Sequence, residues 1–429
     1  MKHTKIIATI GPASEKIEIL ENMMKLGLNV CRLNFSHGDH IWHEKAIKKI
    51  RKAAQKSERR VGIMADIQGP RIRVASKKEI KLDQGDNVFL SDQKSVHSHR
   101  YKKEILLDWD DFYTHTNKGD RVFIEDGLID LEIEKREKGG CVAKVIVGGI
   151  VKTHKGVNIP AISSHLGFLT EKDLKDLDFV LSKEVDFIAA SFVGNSQDII
   201  NLRNIIKNWE EKHCKLAKTT VGKIHRTGMN LDMPWIVAKI ERKKAIKNID
   251  EIIKEVDAIM VARGDLAIEM QQEKVTIFQK EIIEKCNRAK KPVIVATQMM
   301  HSMIENARPT RAEITDITNA VIDQSDAVML SNETATGNYP EKVIETVAKI
   351  IKEAEDSPYN DVALKKKNKF AKLVFREKRK KDIRKKLVLA EDLQECLEYS
   401  SLRQEDVKIK LDSSREEDKR KGSLIWGIK

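Results

Sequence analysis

The chain has no uninterrupted apolar run of the roughly 20 residues that a membrane-spanning helix needs. The apolar stretch in its first residues, MKHTKIIATIGPAS, is too short to read as a secretory signal. No membrane span is therefore expected. Cysteine is scarce: Cys31, Cys141, Cys214, Cys286 and Cys396 are odd in number, scattered and without CxxC spacing. That argues against a disulfide framework and points to a reduced, cytoplasmic compartment. In contrast, 41% of the 429 residues are apolar and 34% are charged. The apolar share can bury a large core, which excludes a wholly disordered or fibrous chain. At about 150 residues per domain, the length predicts about three domains or subdomains.

The formal net charge of +13 invites a nucleic-acid or anionic-ligand reading, but it is unevenly spread. Residues 361–429 hold 21 Lys and Arg against 13 Asp and Glu, a surplus of +8. The remaining 360 residues carry +5. A composition boundary near Pro358 follows. The basic run Lys365–Lys386 overlaps a helical pattern over Phe370–Val388, whose function could be attachment to nucleic acid, an anionic membrane or an acidic partner. The plainer expectation for 358–429 is a short, solvated, partly disordered basic tail.

Upstream, eight short β-branched-rich runs recur: 4–10, 29–35, 61–67, 186–193, 234–241, 258–265, 292–298 and 327–334. Their continuous apolar character suits parallel strands buried on both faces. Helical patterns lie between most of them, such as Glu15–Leu26 with Gly27 as a stop, and Glu341–Ala354. Eight such units predict an α/β fold, a (β/α)8 TIM barrel. One connection is too long. Residues 74–157 alternate in short Val/Ile runs with GD and GG turns, and predict an all-β domain inserted after the third strand. The expected division is 1–73 and 158–357 for the barrel, 74–157 for the insertion and 358–429 for the tail. A basic stretch over 212–233 has no clear period and reads as a loop; His213, Cys214 and His225 there match no strong zinc spacing.

Active sites of such barrels sit at the C-terminal strand ends. Those ends carry Arg32, Asn34 and Ser36; Asp66 and Arg73; Lys239 and Glu241; Arg263 and Asp265; Thr297; Ser331 and Glu333. Singly, each is an ordinary polar rim residue. Together, two carboxylates on adjacent strands suit Mg²⁺, and converging Arg and Lys suit phosphate and carboxylate oxygens. The run ARGDL adds backbone N–H groups at a helix start.

The ordered motifs TKIIATIGPAS, NVCRLNFSHG, ADIQGPRIR, KGVNIP, DFIAASFV, IVAKIE, IMVARGDL, KPVIVATQM, NARPTRAE and DAVMLSNETATGNYP resemble the pyruvate kinase family from the first residues to about 356. The resemblance implies a barrel with a small β lid and conversion of phosphoenolpyruvate and ADP to pyruvate and ATP. It further implies Mg²⁺ on Glu241 and Asp265, and Lys239 as the group that stabilises the transferring phosphoryl and the enolate. Substrate contacts fall at Arg32, at the Ala262–Arg263–Gly264 backbone with Asp265, and at Thr297. Nucleotide-phosphate contacts fall at Arg73, Lys155 and the Asn34–His37 stretch. Asn34, Ser36, Asp66 and the Ile67 carbonyl match a monovalent-cation site. The partners so implied are phosphoenolpyruvate, ADP or ATP and pyruvate, in a homo-oligomer.

Departures from the family pattern carry information. Ala267 and Asn332 stand where glycine is usual, and would add strain if those positions need positive φ. Arg71 stands where K⁺-requiring members carry an acidic residue, which predicts weak K⁺ dependence. No counterpart of the family's third domain is recognisable after about 358. A different Mg²⁺-enolate lyase would not need the lid, Lys155 or the nucleotide contacts. A catalytically weak relative with a nucleic-acid or acidic-partner binding tail would not need intact Lys239, Glu241, Asp265 and Thr297.

Overall fold

The structure, a computed structural model, describes residues 2–92, 94, 101–125, 127–220, 233–360, 387–390, 408–411 and 420–425. Eight parallel strands close a barrel: β1 (Lys5–Thr9), β2 (Val30–Asn34) and β3 (Gly62–Ile67), then, after the insertion, β13 (Phe187–Ala190), β14 (Trp235–Ile240), β15 (Ala258–Ala262), β16 (Val293–Ala296) and β17 (Ala327–Leu330). Each predicted run supplies one strand. Alternate residues point to opposite faces. Ile7, Met64, Val237 and Met260 fill the barrel interior. Their neighbours Ile6, Ala8, Ile63, Ala65, Ala238 and Ile259 pack outward in the core that contains the helices' apolar faces. With both faces buried, no polar alternation is left in the strands.

The outer ring comprises α1 (Ile17–Leu26), α2 (His40–Lys56), α3 (Glu171–Ser182), α4 (Ser196–Thr220), α5 (Lys243–Lys247), α6 (Ile249–Glu255), α7 (Arg263–Glu269), α8 (Gln272–Ala289), α9 (Arg311–Ile322), α10 (Asn332–Ala335) and α11 (Pro340–Glu355). Thr170 and Thr310 start α3 and α9 with reciprocal capping boxes. Gly27 stops α1 in the left-handed conformation. Ala267 and Asn332 sit inside α7 and α10 and have no positive φ, so neither departure from glycine introduces strain.

The insertion contains β4 (Ile72–Arg73), β5 (Ile80–Leu82), β6 (Asn87–Asp92), β7 (Glu104–Leu107), β8 (Arg121–Ile124), β9 (Ile129–Glu137), β10 (Gly140–Val147), β11 (Gly149–Val151) and β12 (Gly156–Asn158). Seven of these form one sheet in the order β4-β12-β8-β9-β10-β6-β7, and β11 pairs with β5. Its core, built on Val88, Leu90, Val122 and Leu131, is separate from that of the barrel. Pairing of Arg73 with Gly156 brings the outgoing and returning chains side by side as a neck.

Three features differ from the sequence expectation. Helix α4 continues to Thr220, through much of the stretch read as a basic loop. Within it, His213 stacks on Trp209 with ring centroids 3.9 Å apart, and no cluster of three or more metal-ligating side chains occurs among the described residues. His225 lies outside them. Farther on, β18 (Leu387–Ala390) and β19 (Lys408–Leu411) pair in parallel. Leu387 and Val388 are therefore extended, whereas the sequence pattern places them at the end of a basic helix; residues 370–386 lie outside the described residues. Finally, residues 421–425 are buried against the barrel, not solvated. No helix among the described residues is long and apolar enough to cross a membrane.

Candidate active site

Lys239 and Glu241 are two residues apart at the end of β14, so strand alternation points both into the barrel mouth. The Lys239 ammonium donates to Ser191 Oγ at 2.8 Å and to Asp66 Oδ1 at 3.1 Å, and lies 2.8 Å from Glu241 Oε1. Arg32, on β2, donates from Nε to Asp66 Oδ2 at 2.7 Å and from Nη1 to Thr9 Oγ1 at 2.8 Å. All four charged residues are buried. Burial works against the Lys239 charge, but Asp66 and Glu241 outweigh it and hold its pKa above the ordinary lysine value. Burial likewise pushes Asp66 up, but Lys239 and Arg32 bring it below the usual carboxylate range.

Glu241 behaves differently. Burial raises its pKa, and the nearby Asp265 carboxylate adds to the effect beyond what Lys239 offsets. Its Oε2 accepts the Phe192 N–H at 2.6 Å, and Phe192 holds a φ of +57°. Asp265 lies in the first turn of α7, directly after β15. Two carboxylates at adjacent strand ends, one of them buried with its pKa raised, make a hard-oxygen pair that a cation would relieve. With no soft or imidazole ligand alongside, the donor set fits Mg²⁺.

The β16 end is strained. Thr297 and Gln298 hold φ of +72° and +54° in succession. A β-branched residue there costs on the order of 1–3 kcal/mol. The surroundings enforce it: Arg263 Nη2 donates to Thr297 O at 2.7 Å and Nε to Ala296 O at 3.3 Å, while Asp316 balances the guanidinium at 2.7 Å. Thr297 Oγ1 donates to Ala296 O at 2.6 Å and accepts the Gly264 N–H at 2.8 Å. The Arg263 side chain thus clamps this turn, and one of the ARGDL amide groups already has an acceptor. Ala262 ends β15 and caps α7. Glu333 likewise serves the backbone, accepting the Ser331 and Met300 N–H groups.

On the opposite rim, Arg32, Arg71 and Arg73 all lie near enough to His37 to lower its pKa, although burial is the larger cause. Arg73, on the neck, donates to His154 O at 3.0 Å. Arg71 packs on Gly156, where a Cβ would sit 2.6 Å from its Nε, and reaches within 3.7 Å of Asp265 Oδ1. Lys155 is one residue before Arg73's partner, but its ammonium pairs with Glu125 inside the insertion and does not join the barrel groups. Three of the four candidate K⁺ ligands already have partners: Asp66 with Arg32 and Lys239, Asn34 Oδ1 with the Ser36 N–H at 3.1 Å, and Ile67 O with Ser191 Oγ at 2.6 Å. The Arg32 guanidinium on Asp66 already places a fixed positive charge beside this set.

The barrel thus brings Arg32, Asp66, Lys239, Glu241, Asp265 and Thr297 to one mouth, with Arg73 on the adjoining neck. Sequence reasoning missed Ser191, Phe192 and Thr9. Ser191 follows β13 at the position equivalent to the other strand-end residues, and that equivalence was the available signal. The roles of Phe192, through its N–H, and of Thr9 leave no trace in residue type.

Comparison with known proteins agrees with this architecture. The family description "Pyruvate kinase, barrel domain" matches residues 1–344. A protein named pyruvate kinase from Geobacillus stearothermophilus is 40% identical over 360 residues, covering 83% of this chain and 57% of the relative. One from Sporosarcina psychrophila is 42% identical over 354 residues, 82% of this chain and 56% of the relative. One from Clostridium perfringens is 40% identical over 357 residues, 83% and 71%. The chain spans somewhat more than half the length of most of these relatives. A barrel with a β-domain hung after its third strand, and a match that runs through every strand of that barrel, place the chain in the pyruvate kinase family.

Proposed function

We propose that the chain transfers the phosphoryl group of phosphoenolpyruvate to ADP, giving pyruvate and ATP, with Glu241 and Asp265 holding Mg²⁺. The observation that carries this reading is the buried Lys239 ammonium, fixed by Asp66, Ser191 and Glu241 beside a carboxylate pair at the barrel mouth. When bound, Mg²⁺ neutralises charge on substrate phosphate and carboxylate oxygens.

The protein groups supply positioning and fixed charge, which is most of what phosphoryl transfer requires. The bond from phosphorus to the enol oxygen breaks, and a bond from phosphorus to a terminal oxygen of ADP forms. Lys239 faces the negative charge that develops on the transferring oxygens and the departing enolate oxygen. Its acceptors hold it in place beforehand, so little reorganisation is needed during reaction. One such preorganised contact is worth on the order of 3–4 kcal/mol in the transition state. Arg32 and Arg73 bind phosphate oxygens. Asn34, His37 and Lys155 contact the nucleotide as the insertion closes, which requires Lys155 to exchange Glu125 for a phosphate. The strained turn holds Thr297 where the enolate carbon gains its proton, and the Ala262–Gly264 backbone lies against the substrate carboxylate. We further propose that Arg71, beside Asp265, supplies the positive charge that K⁺ would otherwise bring.

The test is pyruvate formation by the purified chain. It should need phosphoenolpyruvate, ADP and Mg²⁺ together. No pyruvate above the enzyme-free rate, with the barrel folded, would refute the reading.

A further inference from the structure

The opposite end of the barrel presents a second set of specific contacts. Gly62, Asp186 and Met233 stand at or just before the N-terminal ends of β3, β13 and β14. Onto them folds the segment Arg420–Ile425. Arg420 Nε donates to Asp186 Oδ1 at 2.6 Å, while Asp186 Oδ2 accepts the Ile63 N–H at 2.8 Å. Lys421 Nζ donates to Met233 O at 2.9 Å. Leu424 and Ile425 are wholly buried, and Leu424 joins the apolar cluster that fills the barrel interior. Gly62 makes room for Phe187 and for the segment: a Cβ there would lie 2.7 Å from Phe187 Cε2 and 2.8 Å from Ser423 Oγ.

These contacts sit on a particular seam. Strands β3 and β13 are barrel neighbours, yet the whole insertion lies between them in sequence. Asp186 bridges the two strands through the Ile63 N–H, and Arg420 compensates the buried carboxylate. Leaving that carboxylate without its cation would be costly. Opening the floor would also expose the interior under Leu424 to water.

We propose that the barrel floor is a docking site for a short peptide of two basic, two small and two aliphatic residues, and that the chain's own Arg420–Ile425 occupies it as a clasp across the β3–β13 seam. The ion pair and the lysine–carbonyl bond set register, and Leu424 supplies the apolar anchor. The site is distant from the candidate active site and independent of its chemistry.

The test uses the full chain with Leu424→Asp, which disfavours the anchor without touching the active-site groups. Its melting temperature should fall by roughly 5 °C or more at a fixed scan rate. A labelled peptide carrying residues 418–429 should bind this variant saturably and restore part of the loss. The unaltered chain, its floor filled, should not bind the peptide. Pyruvate formation at 25 °C, read in parallel, separates failure of this proposal from failure of the catalytic one. Unchanged melting with no peptide binding would overturn the proposal. So would a full-chain dimer that becomes monomeric on Leu424→Asp, because the segment would then sit in a second copy's floor. If Leu424→Asp does not fold, Arg420→Ala carries the test: faster amide exchange over 422–425 with a smaller melting loss is expected, and no change in either overturns it.

Discussion

At the scale of single residues, the barrel mouth is a balance of buried charges. Lys239 is shared between Asp66 and Glu241, and Arg32 takes the rest of Asp66. Glu241 shares Lys239 with Asp66, and burial with the nearby Asp265 carboxylate raises its pKa, so a divalent cation would stabilise its anion. Replacing Glu241 with Gln should therefore raise the Mg²⁺ concentration for half-maximal rate by about tenfold or more, read by Mg²⁺ titration of pyruvate formation. An unchanged midpoint would remove Glu241 as a ligand. Arg71 makes a second prediction at this scale. With Arg71 beside Asp265 and three arginines near His37, exchanging tetramethylammonium for K⁺ should change the rate little. A large rise with K⁺ would contradict it. The charged residues gathered at the barrel mouth were legible because charged groups at strand ends stand out against apolar runs. Ser191 and the Phe192 N–H were not, since a hydroxyl and a backbone amide acquire their roles only once Lys239 and Glu241 face them. The guanidinium of Arg263 serves as a clamp on Thr297, which spacing alone does not reveal.

Elements hold these residues in place, and α2 shows how. His43 stacks on Phe35 with centroids 3.9 Å apart, and its Nε2 donates to His37 O at 2.9 Å. That fixes the loop after β2 that carries Asn34–His37. The Nδ1 is buried without a partner among the described residues, so a second ring proton would find no acceptor there. Burial, the largest cause, accordingly lowers the His43 pKa to about 4. Between an unfolded value of about 6.5 and that folded value, the unfolded chain binds more protons. Stability from this group is therefore complete at higher pH and is lost as pH falls through that window. His43→Leu removes the bond at every pH but also the proton penalty. Its destabilisation relative to the unaltered chain should shrink by about 2 kcal/mol between pH 7 and pH 5, measured by denaturant unfolding. A pH-independent difference would contradict the account. All eight barrel strands were readable because burial on both faces keeps them apolar throughout. The end of α4 was not: beyond residue 210 its sequence turns lysine-rich, and the apolar period fades before the helix does. Strand β18 was hidden because its apolar residues continue the period of the basic stretch before it.

For the whole molecule, the +13 net charge is a poor guide to the candidate site. The cations that matter at the barrel mouth are few, and most are matched by carboxylates. Of the +8 surplus in 361–429, Arg420 and Lys421 are spent on Asp186 and the Met233 carbonyl at the barrel floor. The division into barrel, insertion and basic segment was drawn from hydropathy, which could not show that residues 420–425 return to the barrel. A docked hexapeptide has too few residues to display a period, and its partners lie more than 180 residues upstream. Insertion and barrel meet at the neck, where Arg73 and Gly156 pair, so bending there would carry Lys155, a proposed nucleotide contact, toward Lys239. The central claim is that this buried ammonium at the barrel mouth drives phosphoryl transfer. It is tested most directly by comparing pyruvate formation from phosphoenolpyruvate, ADP and Mg²⁺ by the unaltered chain and by Lys239→Met, both verified as folded by circular dichroism. The account predicts measurable turnover by the unaltered chain and a loss of about 10²-fold or more in kcat in the variant. Near-equal turnover of the two would contradict it.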